Sequence, residues 1–179
     1  MKWLLILIVL AVVVMLILAS RKPNSFRVER KILIHAEAAT VFDYINDFHQ
    51  WTQWSPWENV DPNLTRSYSG SDMGVGAHYA WQGNKNVGQG NMTILESTPN
   101  SFIKIALQFI KPFAANNTAE FTLTQQGDNT EVAWVMYGPS PLISKVMGLF
   151  MNMDKMIGTQ FETGLTNLKN AAEKAKQPI

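Results

Sequence analysis

Three histidines, His35, His49 and His78, are the obvious candidates for acid–base or metal chemistry. They lie far apart in the chain, and none belongs to a motif with metal-ligand spacing, so no metal site is expected. His78 alternates with Tyr79 and Trp81, which turns it away from whatever face those two share. Asp43 and Asp47 stand one helical turn apart and could act as an acid–base pair, although a solvated helix face is the commoner reason for that spacing. Tyr79, Tyr137 and Asp47 are the only groups from which a catalytic site could be assembled. No serine sits in a nucleophile elbow, and the absence of cysteine excludes disulfide and thiol chemistry. Gly74-x-Gly76 and Gly88-x-Gly90 lack the third glycine and the strand–helix setting of a nucleotide loop, and read as bends in a curved sheet. No catalytic residue and no cofactor is therefore assigned.

The aromatic residues say more. Trp51-x-x-Trp54-Ser-Pro-Trp57 places three of the six tryptophans in one short stretch. Trp54 and Trp57 flank Pro56 and either close the core over an open edge or rim a ligand entrance; large aromatics more often fill space. Charge adds an exclusion. The 179 residues hold 15 Lys plus Arg against 14 Asp plus Glu, with no basic run, so nucleic acid is not an expected partner.

Stepping along the chain gives the elements that must position these side chains. Trp3 to Ala19 carries no charge or polar side chain, a length at the short end of a bilayer span. It reads as a retained anchor in residues 1–22, with a cleaved signal peptide as the rival. Arg21, Lys22, Arg27, Arg30 and Lys31 follow it and lean the assignment towards a single-pass protein with a cytoplasmic domain. Residues 20–25 read as a short linker, and residues 23–179 as one domain. Phe26, Val28, Ile32 and Ile34 alternate with charged residues in a half-buried strand. A short helix over Glu37–Phe48 turns Val41, Phe42 and Ile45 inward. Six further strands are predicted: Leu64–Ser69, Ala77–Gln82, Val87–Ser97, Phe102–Ile110, Ala119–Gln125 and Thr130–Tyr137. Short Gly, Pro and Asn turns between them imply an antiparallel meander.

After Gly138-Pro-Ser-Pro141 a helical segment, Leu142–Phe150, precedes a long helix over Met153–Lys176. That helix carries Met153, Ile157, Phe161, Leu165, Leu168 and Ala172 on one stripe. Asp154 suits its start, and Lys169, Lys174 and Lys176 suit its end. Gly158 and Gly164 each cost about 1 kcal/mol against Ala, which points to close approach of another backbone. Alternation turns Ile32, Ile34, Tyr79, Trp81, Met92, Ile94, Ile103, Ile105, Leu107, Phe109, Phe121, Leu123, Val132, Trp134 and Met136 inward. Met147, Phe150, Met151, Ile157 and Phe161 are expected to join this apolar set, which either packs solid or lines a pocket.

Several motifs occur in a familiar order: Trp51-x-x-Trp54-Ser-Pro-Trp57, Gly74-Val-Gly-Ala-x-Tyr-x-Trp81-x-Gly83, Gly88-x-Gly90-x-Met-x-Ile94, Thr130-x-Val-x-Trp134-x-Met136-x-Gly138 and Phe161-Glu-x-Gly164-Leu-x-x-Leu168-Lys169. From about Phe26 to Glu173 the chain resembles the polyketide cyclase/dehydrase-like branch of the START-like (SRPBCC) superfamily. The resemblance implies an α+β helix-grip fold, a curved seven-stranded antiparallel sheet around a long C-terminal helix, with an apolar cavity between them. Function transfers less well across such a fold. The expected function is membrane-anchored binding of a hydrophobic small molecule or lipid, without catalysis. A cofactor-independent cyclase, dehydratase or hydrolase, and a protein-interaction module, are the alternatives. The expected lining is Trp54, Trp57, Tyr79, Trp81, Met92, Phe109, Trp134, Met136, Met147 and Phe161.

Overall fold

The computed structural model describes residues 2–175; Lys176, expected in the last turn of the long helix, lies outside them. Helix α1 (Lys2–Ser20) is followed by strand β1 (Ser25–Ile34), helix α2 (Ala38–Asn46) and a 3-10 turn (Phe48–Gln53). Strands β2 (Thr65–Gly70), β3 (Ala77–Gln82), β4 (Gln89–Thr98), β5 (Phe102–Lys111), β6 (Ala115–Gln126) and β7 (Asn129–Pro139) come next. Helices α3 (Leu142–Phe150) and α4 (Met153–Ala175) end the described chain. The strands form one antiparallel sheet in the order β1-β7-β6-β5-β4-β3-β2. Only the β1–β7 pairing crosses the meander. It aligns Val28 with Met136 and Arg30 with Trp134, bringing the first strand beside the last. This is the helix-grip architecture that the family resemblance implies, and it agrees with the predicted order of elements.

Each predicted strand is present, and the largest difference is β6, which starts four residues earlier than expected. Ala115-Asn-Asn-Thr118 has weak strand propensity, but it pairs with Phe109 back to Ala106 on β5, and that pairing decides its conformation. The sheet bends where register shifts fall at Gln89/Gly90 and Ile94/Glu96 on β4. Gly90 leaves room for the Trp81 ring lying across it. The alternation holds throughout: Ile34, Ile103, Ile105, Phe121 and Val132 are fully buried, while Arg27, Glu29 and Lys31 face out with substantial exposure.

Helix α4 packs its stripe into the sheet, burying Gly158, Phe161, Gly164, Leu165, Leu168 and Ala172. Close approach explains both glycines, but to side chains rather than to backbone. A Cβ at Gly158 would occupy the position of the Arg30 guanidinium, which pairs with Asp154 (3.0 Å) and Glu162 (2.7 Å) across that turn. A Cβ at Gly164 would stand 2.9 Å from both the Pro56 ring and the Trp134 ring.

Residues 20–25 link α1 to β1, and several of them are tied to α3 and to the segment before it. Asn24 Oδ1 accepts from Lys145 Nζ at 2.6 Å, the Asn24 carbonyl accepts from the Ser140 amide at 2.7 Å, and the Lys22 ammonium reaches the Gly148 carbonyl. Helix α3 departs from expectation, because it is not an inward-facing part of the core. It packs chiefly against α1, Phe150 is 76% exposed and Met151 is 44% exposed, so neither joins the interior. A 3.6-residue period identifies an apolar face but not what that face meets.

Candidate functional site

The concave face of the sheet holds two groups of aromatic side chains. The first is organised by α2 and the tryptophan segment after it. Trp51 Nε1 donates to the Ile45 carbonyl and Trp54 Nε1 to the Tyr44 carbonyl, both at 2.9 Å, which pins that segment beneath α2. Trp54 therefore enters the grip, edge-on to Trp134 (5.6 Å) and Phe121 (6.0 Å). Trp134 stacks on Phe161 of α4 with ring centres 4.0 Å apart and planes within 5°. Trp57 stands edge-on to both at 5.9 and 6.3 Å. Sheet and helix are joined here by stacked rings, so this half of the interior is packed.

The second group lies on β3, β4 and β5. Tyr79 stacks on Trp81 (6.0 Å), Trp81 meets Phe109 edge-on (6.0 Å), and Met92 sits opposite Tyr79 with Leu107 beyond it. Met136 is buried opposite Ala119 on β6. Nine of the ten predicted lining residues thus share the concave side. Met147 does not, because it belongs to α3, outside the core cluster.

The two ends of the grip differ. Ile103, Ile105, Phe121 and Val132 close one end completely. At the other, where β5 ends and β6 begins, the inward side chains Leu107, Phe109, Phe26 and Ile157 remain only partly buried. Asn117 faces the same space, opposite Leu107. Its amide lies across the Cα of Gly138, a position that any Cβ at 138 would fill, and its Oδ1 is buried without a hydrogen-bond partner. Among the described residues, Trp134 Nε1 is the other buried side-chain polar atom without one. A buried acceptor left unpaired costs about 1–3 kcal/mol, and most buried polar groups have a protein or water partner. That end of the concave face therefore presents half-buried apolar side chains beside one buried, unpaired acceptor, Asn117 Oδ1, while the Trp134 indole N–H lies within the packed half. Of two surface clefts, one of about 500 Å³ lies beside Asp61, Thr65 and Asn84, and one of about 420 Å³ lies beside Phe26, Arg27, Glu120, Tyr137 and Gly138, so the second shares Phe26 with the half-open end.

The ionisable candidates do not converge. Tyr79 Oη donates to Glu58 Oε1 at 2.7 Å, and Glu58 is itself buried and paired with Arg66 at 2.6 Å. Burial first, then the hydrogen bond to Glu58 and its charge, push the Tyr79 phenol far above its ordinary range, so it stays protonated. Tyr137 bonds Glu120 at 2.7 Å on the opposite, convex face. Asp47 caps the 3-10 turn through the His49 amide and also holds the His49 ring at 2.8 Å. His78 points outward to Thr93, as its alternation predicts. Among the described residues no three His, Cys, Asp or Glu side chains cluster as a metal site. Sequence reasoning missed the Glu58–Arg66–Tyr79 network and Asn117. A glutamate and an arginine eight residues apart, and an asparagine in a polar run, carry no periodic signal.

The fold and the residue pattern are matched by the family described as "Polyketide cyclase / dehydrase and lipid transport", over residues 25–173. The chain belongs to this family. Its solved relatives share the fold at low identity. Protein CV1439 from Chromobacterium violaceum is 16% identical, with a TM-score of 0.60 over 85% of this chain and 99% of that one. The Aha1 dimer from Colwellia psychrerythraea is 17% identical, with a TM-score of 0.58 over 85% and 99%. The di-domain ARO/CYC StfQ from the steffimycin biosynthetic pathway is 10% identical, with a TM-score of 0.62 over 85% of this chain and 52% of that one. No curated protein sequence matches the chain. In this polyketide cyclase/dehydrase and lipid transport family, the description itself couples the fold to hydrophobic ligands, through either transport or cyclase-like chemistry.

Proposed function

We propose that this protein is a membrane-anchored START-like domain that binds a hydrophobic small molecule or lipid at the half-open end of its grip. In this reading residues 1–22 are a retained single-pass anchor, residues 23–179 are the binding domain, and the basic residues after the anchor favour the cytoplasmic side. The supporting observation is the pairing of partly buried apolar side chains, Leu107, Phe109, Phe26 and Ile157, with the unpaired Asn117 acceptor on one concave surface. A ligand with a long apolar body and one hydroxyl or amide donor suits that arrangement. Trp81, Met92, Phe109 and Met136 line the mouth, and Trp54, Trp57, Trp134 and Phe161 form its floor. Binding rather than catalysis is favoured because the acids and bases nearby are either engaged or on the other face.

Native mass spectrometry of the detergent-purified protein tests this directly, with a co-purifying lipid as the expected result. Titration with fatty acids, isoprenoid quinones and aromatic polyketides should change tryptophan emission for at least one class. Asn117→Ala should weaken that binding about fivefold, the worth of one hydrogen bond, while leaving the fold intact. If no ligand co-purifies and none of the three classes alters the emission, the binding function is wrong.

A further inference from the structure

Helix α3 is an amphipathic helix turned inside out. Its one buried residue is its one charged residue, Lys145, which bonds Asn24, and its glycine, Gly148, faces the Lys22 ammonium. Its large apolar residues point the other way: Leu142 is 51% exposed, Ile143 53% and Phe150 76%. At 100° per residue, Leu142, Val146, Phe150, Ile143 and Met147 share an arc of about 140° opposite that polar contact. Met151 and Met156 extend the exposed surface into the start of α4. The helix carries no acidic residue, so no carboxylate opposes transfer of this face out of water.

What covers it follows from what α3 touches. The helix packs against α1, the apolar span, and Ala19 in the last turn of α1 is fully buried. The Lys22 ammonium, donating to the Gly148 carbonyl, and the Asn24 side-chain oxygen, accepting from Lys145, then fix α3 beside the point where the span ends. Resting on the anchored reading above, we infer that α3 lies in the interfacial layer of the same bilayer, with Leu142, Ile143 and Phe150 among the lipid. A short helix with an apolar outer side, whose one cation is turned into the protein, can bury that side in the interfacial layer.

The topology adds a consequence. The beginning of β1, the end of β7, the end of β5 and the beginning of β6 all lie at one end of the sheet. That end carries both α3 and the half-open mouth of the grip, and its β5–β6 turn presents Phe113 at 60% exposure. Seating α3 on the bilayer therefore seats the mouth there as well. A lipid could pass between membrane and grip without crossing bulk water.

The chain has no cysteine, so single cysteines can be introduced without background. Full-length protein with Leu10→Cys, Phe150→Cys or Val75→Cys would carry an environment-sensitive fluorophore in phosphatidylcholine vesicles with and without nitroxide-labelled lipid. Val75 is exposed in the β2–β3 turn, at the opposite end of the sheet. The expected result is blue-shifted emission and quenching by nitroxide lipid at 10 and 150, with neither at 75. Quenching at 10 with water-like emission at 150 overturns the placement of α3 and leaves the anchor standing. No quenching at 10 overturns both. A blue shift at 150 that nitroxide lipid does not quench, and that disappears as protein is diluted across vesicles, assigns the face to a second copy and also overturns it.

Discussion

At the scale of single residues, Phe161 is the side chain through which helix and sheet communicate. It is 1% exposed and lies flat on Trp134, so Phe161→Ala should cost about 3–5 kcal/mol in chemical denaturation, the usual range for a packed aromatic. A loss below about 2 kcal/mol would show that the floor of the grip is hollow. Tyr79 makes a prediction of the opposite kind, about pH. Its phenol is raised in the folded protein and titrates near pH 10 when unfolded. The unfolded chain therefore releases this proton first, and stability present below pH 10 is lost as pH rises above it. Denaturation midpoints measured from pH 8 to 11 should fall less steeply for Tyr79→Phe than for the parent protein; equal slopes would mean the phenol ionises freely. The inward direction of Tyr79, Trp81, Trp134 and Phe161 was legible from alternation and helical period, because those patterns report which face a residue occupies. The partners Glu58, Arg66 and Asn117 were not, since each meets its neighbour through contacts that only the folded chain creates.

At the scale of elements, α4 makes one substitution informative at two positions. Glycine to alanine removes about 1 kcal/mol of helix penalty at either site, so the difference reports what the new methyl meets. At Gly158 it meets the far end of the Arg30 side chain, which can swing towards solvent while giving up exposed ion pairs worth little each. Gly158→Ala should change stability by less than about 1 kcal/mol. At Gly164 it meets the Pro56 and Trp134 rings, which have no room to move, and Gly164→Ala should destabilise by about 1–3 kcal/mol in the same urea titration. Similar effects at both would place the helix in a different register. The six predicted strands after β1, the short first helix and the long last one were legible because period and turn chemistry agree along each. The beginning of β6 and the facing of α3 were not. Pairing with β5 holds the first, and the second depends on Lys22, Asn24 and α1, more than a hundred residues away.

At the scale of the whole molecule, α1 stands apart from the rest of the fold. Its residues are almost all exposed, it packs chiefly on α3, and α3 in turn lies outside the core that β1–β7, α2 and α4 build. Nothing in that core relies on α1, so a chain starting at Pro23 should keep the far-ultraviolet spectrum of the sheet and α4. Its chemical denaturation midpoint should also lie close to that of the full protein in detergent. What should change is location and solubility. The full chain, tagged at its C-terminus, should sediment with membranes and resist alkaline extraction, because a 19-residue apolar helix is about 28 Å long and matches the hydrocarbon layer. The truncated chain should leave the membrane pellet, yet with Leu142, Ile143 and Phe150 uncovered it should associate weakly with vesicles or with itself. The mass of the membrane-bound product decides between anchor and leader. A retained span keeps the residues before Ser20, whereas a soluble product beginning near Ser20 would make the helix a cleaved signal. In that case α3 would lose its neighbour, and the mouth of the grip would open to water instead of lipid.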